Sequence, residues 1–320
     1  MISPCAWRVV RCRFGKFKRW IVRTPDPFHK MNIMVAVDGS EHSLAAVQLL
    51  CDLPLPAESS ITAVSVLIPR NASDHARLEA ILEHIKALFR DKYVTVSTEL
   101  LVGYPADELT EFAAGHHPDL VVLGAKGLRA TLGILLGGVA QRVMEYAPCP
   151  VLIVRAPYEG LRQVLLVTDG SPHIQQAIEY LADFPLPGSA QVKLIHVMPP
   201  LPSPTLIAHA WPIDAELFIP PSSPETEEAL SRQAEEEEKT GRALLERSEM
   251  RLKSHGVEAA GVLKRGDAAS EILEFIKSNQ IDLVIAGSRG LSRMQSWLMG
   301  SVSRKLVHYA DCSVMIVKGA

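Results

Sequence analysis

The chain has 320 residues, 48% of them apolar and 22% charged, which is a globular composition long enough for two domains that each bury a core. The formal net charge is −3, but residues 1–30 hold eight basic residues against one acid (Asp26), so the remainder carries 25 basic against 35 acidic residues. An acidic body argues against broad nucleic-acid binding, and no apolar run approaches the ~18 residues of a membrane span. No two of the five cysteines form a close pair; Cys149 and Cys312 precede apolar strands and read as small hydrophobes, and a reducing cytoplasm is the expected location.

In chain order, residues 1–30 have no counterpart elsewhere in the sequence and lack the apolar core of a signal peptide. Three readings stand: Met31 as the true initiator, a basic tail, or an amphipathic membrane-surface anchor. From Asn32 onward, buried strands alternate with helices. Strands are predicted at 32–37, 62–67, 94–100, 120–124 and 150–156, and helices at 41–51, 73–90, 105–115 and 137–147. The second half predicts strands at 164–169, 192–197, 256–263, 282–287 and 313–318, and helices at 225–255, 268–278 and 300–310. Residues 199–224 contain eight prolines and read as an extended loop, and Glu235–Glu238 reads as a solvated helix face.

The halves are copies. Met34-Val-Ala-Val-Asp-Gly-Ser40 reappears as Leu165-Leu-Val-Thr-Asp-Gly-Ser171, and residues 103–155 align without a gap on 266–318, with 20 identities in 53 positions where chance gives about one in twenty. The domains are therefore 31–157 and 160–320, the second lengthened by the proline-rich insertion. Apolar strands between helices predict parallel sheets covered on both faces, with ligands bound beyond the carboxyl ends of the strands.

After its fourth strand the second copy reads G-x2-G-x9-G-S, formed by Gly287, Gly290, Gly300 and Ser301. Glycines let backbone N–H groups approach phosphate oxygens, and Gly300-Ser301 opens a helix whose free N–H groups attract anions. Ser301 and Ser303 add hydroxyls. In the first copy Gly124, Gly127 and Gly137 survive, but Gly138 and Ala140 replace the two serines, which predicts a weaker site. Asp38 and Asp169 stand in Asp-Gly-Ser turns, where such residues either cap the next helix or face a ligand. His196 reads as a packed strand residue, His116 and His117 as a helix end, and Trp297 either shields phosphates or packs. There is no G-x4-G-K-[ST] loop, nucleophile elbow or HExxH, and no obvious catalytic base.

On these motifs the chain resembles the universal stress protein family, in its ATP-binding branch, from residue 31 to the C-terminus. The resemblance implies tandem doubly wound parallel five-stranded sheets of the Rossmann-like, adenine nucleotide alpha hydrolase-like kind, paired through their last strands. Carried onto this sequence it places Thr168 and Asp169 near the adenosine, Val197 against the adenine, Ala286 and Gly287 beneath the nucleotide, and Gly290, Gly300, Ser301, Val302 and Ser303 around the phosphates. Asp38, Gly124, Gly127 and Gly137 are the weaker counterparts. The implied cofactor is ATP, with or without Mg2+, in a stress-response or regulatory protein, with ATP ordering the 291–299 segment. Partners would be the adenine nucleotide and a second copy of the chain in a homodimer, with neither nucleic acid nor membrane. The alternatives are a slow adenine-nucleotide hydrolase and a nucleotide-free dimer module.

Overall fold

The computed structural model describes residues 30–69, 74–128, 136–201, 224–288 and 299–318. The basic extension and nearly all of the proline-rich insertion lie outside them.

In the first copy the order is β1 (Asn32–Ala36), α1 (Glu41–Asp52), β2 (Ser60–Leu67), α2 (His75–Leu88), β3 (Thr95–Val102), α3 (Pro105–His116), β4 (Leu120–Gly124), α4 (Gly138–Tyr146) and β5 (Val151–Val154). In the second it is β6 (Gln163–Thr168), α5 (Pro172–Asp183), β7 (Gln191–Met198), α6 (Pro224–Ser254), β8 (Ala259–Arg265), α7 (Ala268–Ser278), β9 (Leu283–Gly287), α8 (Ser301–Tyr309) and β10 (Ser313–Val317). Each Asp-Gly-Ser turn requires a left-handed glycine, at φ +81° for Gly39 and +76° for Gly170.

The expected parallel five-stranded sheets are present, and they are joined edge to edge. All ten strands form one sheet in the order β3-β2-β1-β4-β5-β10-β9-β6-β7-β8, parallel within each copy and antiparallel only where β5 meets β10. There Val314 lies opposite Ile153, Met315 opposite Leu152, and Ile316 opposite Val151. Because Val151 and Val314 are equivalent in the repeat, this register is self-complementary, with a local two-fold axis between Leu152 and Met315.

Strand alternation divides the core by face. Ile33, Val35, Leu152, Val164, Ile285 and Met315 pack with α1, α2, α5 and α6, while Met34, Val121, Ile153, Leu165, Val284 and Val314 pack with α3, α4, α7 and α8. Each core runs through both copies. Polar contacts repeat the exchange: Arg155 Nη2 donates to the Val307 carbonyl near the end of α8 (2.8 Å), and Lys318 Nζ donates to the Ala147 and Glu145 carbonyls at the end of α4 (2.5 and 3.2 Å). Burial pushes the Lys318 ammonium down to about 8. Cys149 and Cys312 are buried in the second core, and their thiols are pushed up to about 11 and about 12.

The long helix α6 buries Leu245, Ser248 and Leu252 on one stripe. The expectation of a wholly solvated Glu235–Glu238 run needs correcting at one position. Glu237 is half-buried, and its Oε2 accepts from Arg265 Nη1 at 2.6 Å, because β8 runs beneath the helix there. Among the described residues no helix is long and apolar enough to cross a membrane.

Candidate functional site

In the second copy the carboxyl ends of β6, β7 and β9 meet the N-termini of α5, α7 and α8 around a cavity of about 250 Å³. It is lined by Thr168, Asp169, Val197, Ala286, Gly287, Gly300, Ser301, Val302 and Ser303, nine of the ten residues singled out for this copy. The tenth, Gly290, lies outside the described residues, as do Trp297 and all of the 291–299 segment except Met299. Val167, Ile174, Ala268 and Ile272 complete the wall. Sequence reasoning missed them because their types are unremarkable; their one signal is position, at the end of β6 and near the starts of α5 and α7.

The chemistry is laid out by the helix start. Gly300 caps α8 with extended backbone (φ −60°, ψ 154°) and no side-chain cap, and its carbonyl accepts the first helical bond from Arg304 N–H at 3.0 Å. The N–H groups of Ser301, Val302 and Ser303 precede that bond and have no helical acceptor. Gly300 N–H donates to the Ser288 carbonyl (2.8 Å) and Ser288 N–H to that of Val317 (2.8 Å), which ties the helix start to the ends of β9 and β10.

Two hydroxyls behave differently from the expectation. Ser303 Oγ is buried and donates to the Gly287 carbonyl at 2.7 Å, so it fixes the strand end and contributes a backbone N–H, not a hydroxyl donor, to the cavity. Thr168 is only 2% exposed and lines the cavity, and its Oγ1 has no hydrogen-bond partner. A buried hydroxyl without a partner costs free energy, and among the described lining residues Thr168 alone carries such an atom. Asp169 Oδ1 accepts from Ser171 N–H at 2.9 Å, the turn-capping bond. Half-buried His196 packs in its strand, its Nδ1–H donating to the Thr168 carbonyl at 2.8 Å. His116 and His117 close α3, His117 in the left-handed region at φ 46°.

The first copy repeats the geometry around a larger cavity, about 420 Å³, lined among others by Asp38, Gly124, Gly127, Gly137, Gly138 and Ala140. Asp38 Oδ1 accepts from Ser40 N–H (2.9 Å) and Oδ2 from Leu128 N–H (3.0 Å), so its carboxylate latches the turn to the glycine loop. Gly127 has no Cβ because one would lie 2.7 Å from Asp38 Oδ2. Gly124 serves packing: a Cβ there would lie 2.6 Å from the His42 carbonyl carbon, in the first turn of α1.

The sequence profile of the universal stress protein family matches the chain twice, over residues 30–155 and 160–318. The chain belongs to the universal stress protein family. A universal stress protein of Mycolicibacterium smegmatis is 29% identical over 310 residues, covering 89% of this chain and 96% of that protein. Another, of Methanocaldococcus jannaschii, is 35% identical over 129 residues, which cover 40% of this chain and 72% of that one. The crystal structure of a universal stress protein from Archaeoglobus fulgidus shares the fold at a TM-score of 0.61 and 18% identity, covering 91% of this chain and 97% of that one.

Proposed function

We propose that this universal stress protein binds ATP in the cavity of its second copy and acts as a nucleotide-responsive regulator. The observation that carries the reading is the pairing of an uncapped α8 N-terminus with the orphaned Thr168 hydroxyl in one cavity. Free N–H groups and a helix dipole suit phosphate oxygens, and the buried hydroxyl suits a polar atom of the nucleoside. Val197, Ile174 and Ile272 supply apolar wall for a base. The N–H groups of Ser301, Val302 and Ser303 and the Ser301 hydroxyl would hold the phosphates, and Gly290 would join them by its place in the motif. Among the described residues no group of three His, Cys, Asp or Glu side chains is placed to hold a metal ion, so Mg2+ would arrive on the phosphates. ATP, when bound, supplies anionic charge that would tie the 291–299 segment to the sheet and alter the surface offered to a partner. The pairing of β5 with β10 would hold the two copies together as one unit in solution.

Titration calorimetry tests the reading. One tight ATP site per chain is expected, and Gly300→Val is expected to abolish it in a protein that still melts cooperatively, because a branched side chain would occupy the space of a phosphate oxygen. Undiminished affinity in that folded variant would place the nucleotide elsewhere. Two equal tight sites would contradict the assignment to the second copy alone. Phosphate release sustained above the Gly300→Val control would favour the slow hydrolase, and no nucleotide binding at all would favour the dimer module.

A further inference from the structure

The two cavities share a backbone plan but not a chemistry. Where the second copy places Thr168 and Ser301, the first places Val37 and Gly138; the Ser303 hydroxyl that Ala140 lacks is already spent on the Gly287 carbonyl. The remaining side-chain hydroxyls in the first cavity's wall are already used: Ser40 Oγ donates to the Lys126 carbonyl (3.1 Å) and Ser43 Oγ to the Ser40 carbonyl (2.9 Å). Both Asp38 oxygens accept main-chain N–H groups, and Arg77 at the rim donates to the Asp38 carbonyl (3.0 Å) and approaches Asp74 (3.9 Å). No buried side-chain atom lacking a partner among the described residues lies in this wall. The interior is instead apolar, formed by Val64, Val66, Ile68, Leu78, Leu109 and Leu123, around about 420 Å³, room enough for a small organic molecule. The N–H groups of Gly138, Val139 and Ala140 at the start of α4 precede its first helical bond, and Lys126 is among the lining residues, so a guest has donors to meet. An apolar wall of this kind favours a guest that buries apolar surface against it.

We infer that the first copy's cavity is a binding site for a small, largely apolar molecule carrying one hydrogen-bond-accepting end, and not a second triphosphate site. Together with the proposed nucleotide site, this would make the chain a two-input protein. This inference does not depend on the nucleotide reading, since its wall and its probe are separate.

The test uses the full chain and the neutral fluorophore N-phenyl-1-naphthylamine. Wild type is expected to bind one equivalent saturably, with saturating ATP leaving the titration unchanged. Val66→Trp fills the cavity and is expected to weaken the probe at least tenfold while leaving ATP titration intact. Val139→Trp, at a position 37% exposed and so tolerant of a larger side chain, guards against misfolding of the first variant and is expected to act likewise. Val197→Trp, at the matching position of the second copy, is expected to spare the probe. Absence of saturable probe binding overturns the inference, as does displacement of the probe by ATP in Val197→Trp. An ATP stoichiometry of two that Val66→Trp reduces to one also overturns it. Failure of ATP to bind wild type at all would defeat only the nucleotide reading, because the probe titration stands without it.

Discussion

Thr168 and His42 show how single side chains divide the work between the copies. Thr168 replaces the apolar Val37 of the first copy at the end of the first strand, and its hydroxyl is buried without a partner. Thr168→Val should therefore lower ATP affinity about 2- to 12-fold, the worth of one neutral hydrogen bond. It should leave the melting temperature level or slightly raised; calorimetry beside a thermal melt checks both, and unchanged affinity would mean the hydroxyl meets no ligand atom. His42 sits in the first turn of α1, beneath Gly124, and its Nδ1 accepts the Ala156 N–H at 2.8 Å where the first copy leads into the second. That bond requires an unprotonated Nδ1. Burial chiefly, then Lys126 and Arg155, push the imidazole below its ordinary 6.5, with Glu41 and the Val154 backbone opposing. The unfolded chain thus takes up this proton at higher pH than the folded one, so the contribution is whole above pH 6.5 and is lost as pH falls below it. His42→Asn keeps an acceptor and removes the titration. The difference between wild type and variant in urea midpoint should shrink or reverse as pH is lowered through 6.5 and below; a difference that is flat with pH would remove His42 from the acid response.

At the scale of elements, α6 differs most from its counterpart α2, being 31 residues against 14. Leu245 and Leu252 hold its C-terminal half to the sheet, and Glu249 Oε1 accepts from Gly261 N–H at 2.5 Å. The earlier turns depend on Arg265 of β8, whose guanidinium meets Glu237 Oε2 (2.6 Å), the Ala234 carbonyl (3.3 Å) and the Pro199 carbonyl (3.0 Å). Planar, multiply bonded arginine of this kind is not replaced by a point charge. Arg265→Ala should increase amide hydrogen exchange across roughly residues 230–240 while 245–254 stay protected, because only the first stretch loses its anchor. Uniform loosening of α6 would show that the helix behaves as one unit.

For the whole molecule the join between β5 and β10 decides cooperativity. It sits at the centre of the ten-stranded sheet, both cores pass through it, and each copy sends a cation to a helix end of the other. The chain should unfold in one transition. Lys318→Met removes the donor to the Glu145 and Ala147 carbonyls and should cost about 1–3 kcal/mol, by the general penalty for unpaired buried acceptors. Urea denaturation followed by both fluorescence and circular dichroism should give coincident curves for wild type and variant. Two separated transitions in wild type would mean that the copies fold independently despite the shared sheet.

The sequence alone determined the repeat, the strand order, every helix but α5, and nine residues of the second cavity, because each of these leaves a local mark. Continuous apolar runs between helices mark strands buried on both faces, Asp-Gly-Ser marks a turn that needs a left-handed glycine, and glycine spacing marks a backbone drawn close. Gly124 shows where such marks mislead: it matches the phosphate pattern, yet its missing Cβ makes room for α1. The tertiary structure decided what depends on partners distant in the chain. Ser303 spends its hydroxyl on Gly287, Asp38 is engaged by Leu128, Thr168 finds no partner, and Glu237 is half-buried against β8. Residue type fixes how many hydrogen bonds a group can make; only the folded surroundings fix whether those bonds are already made.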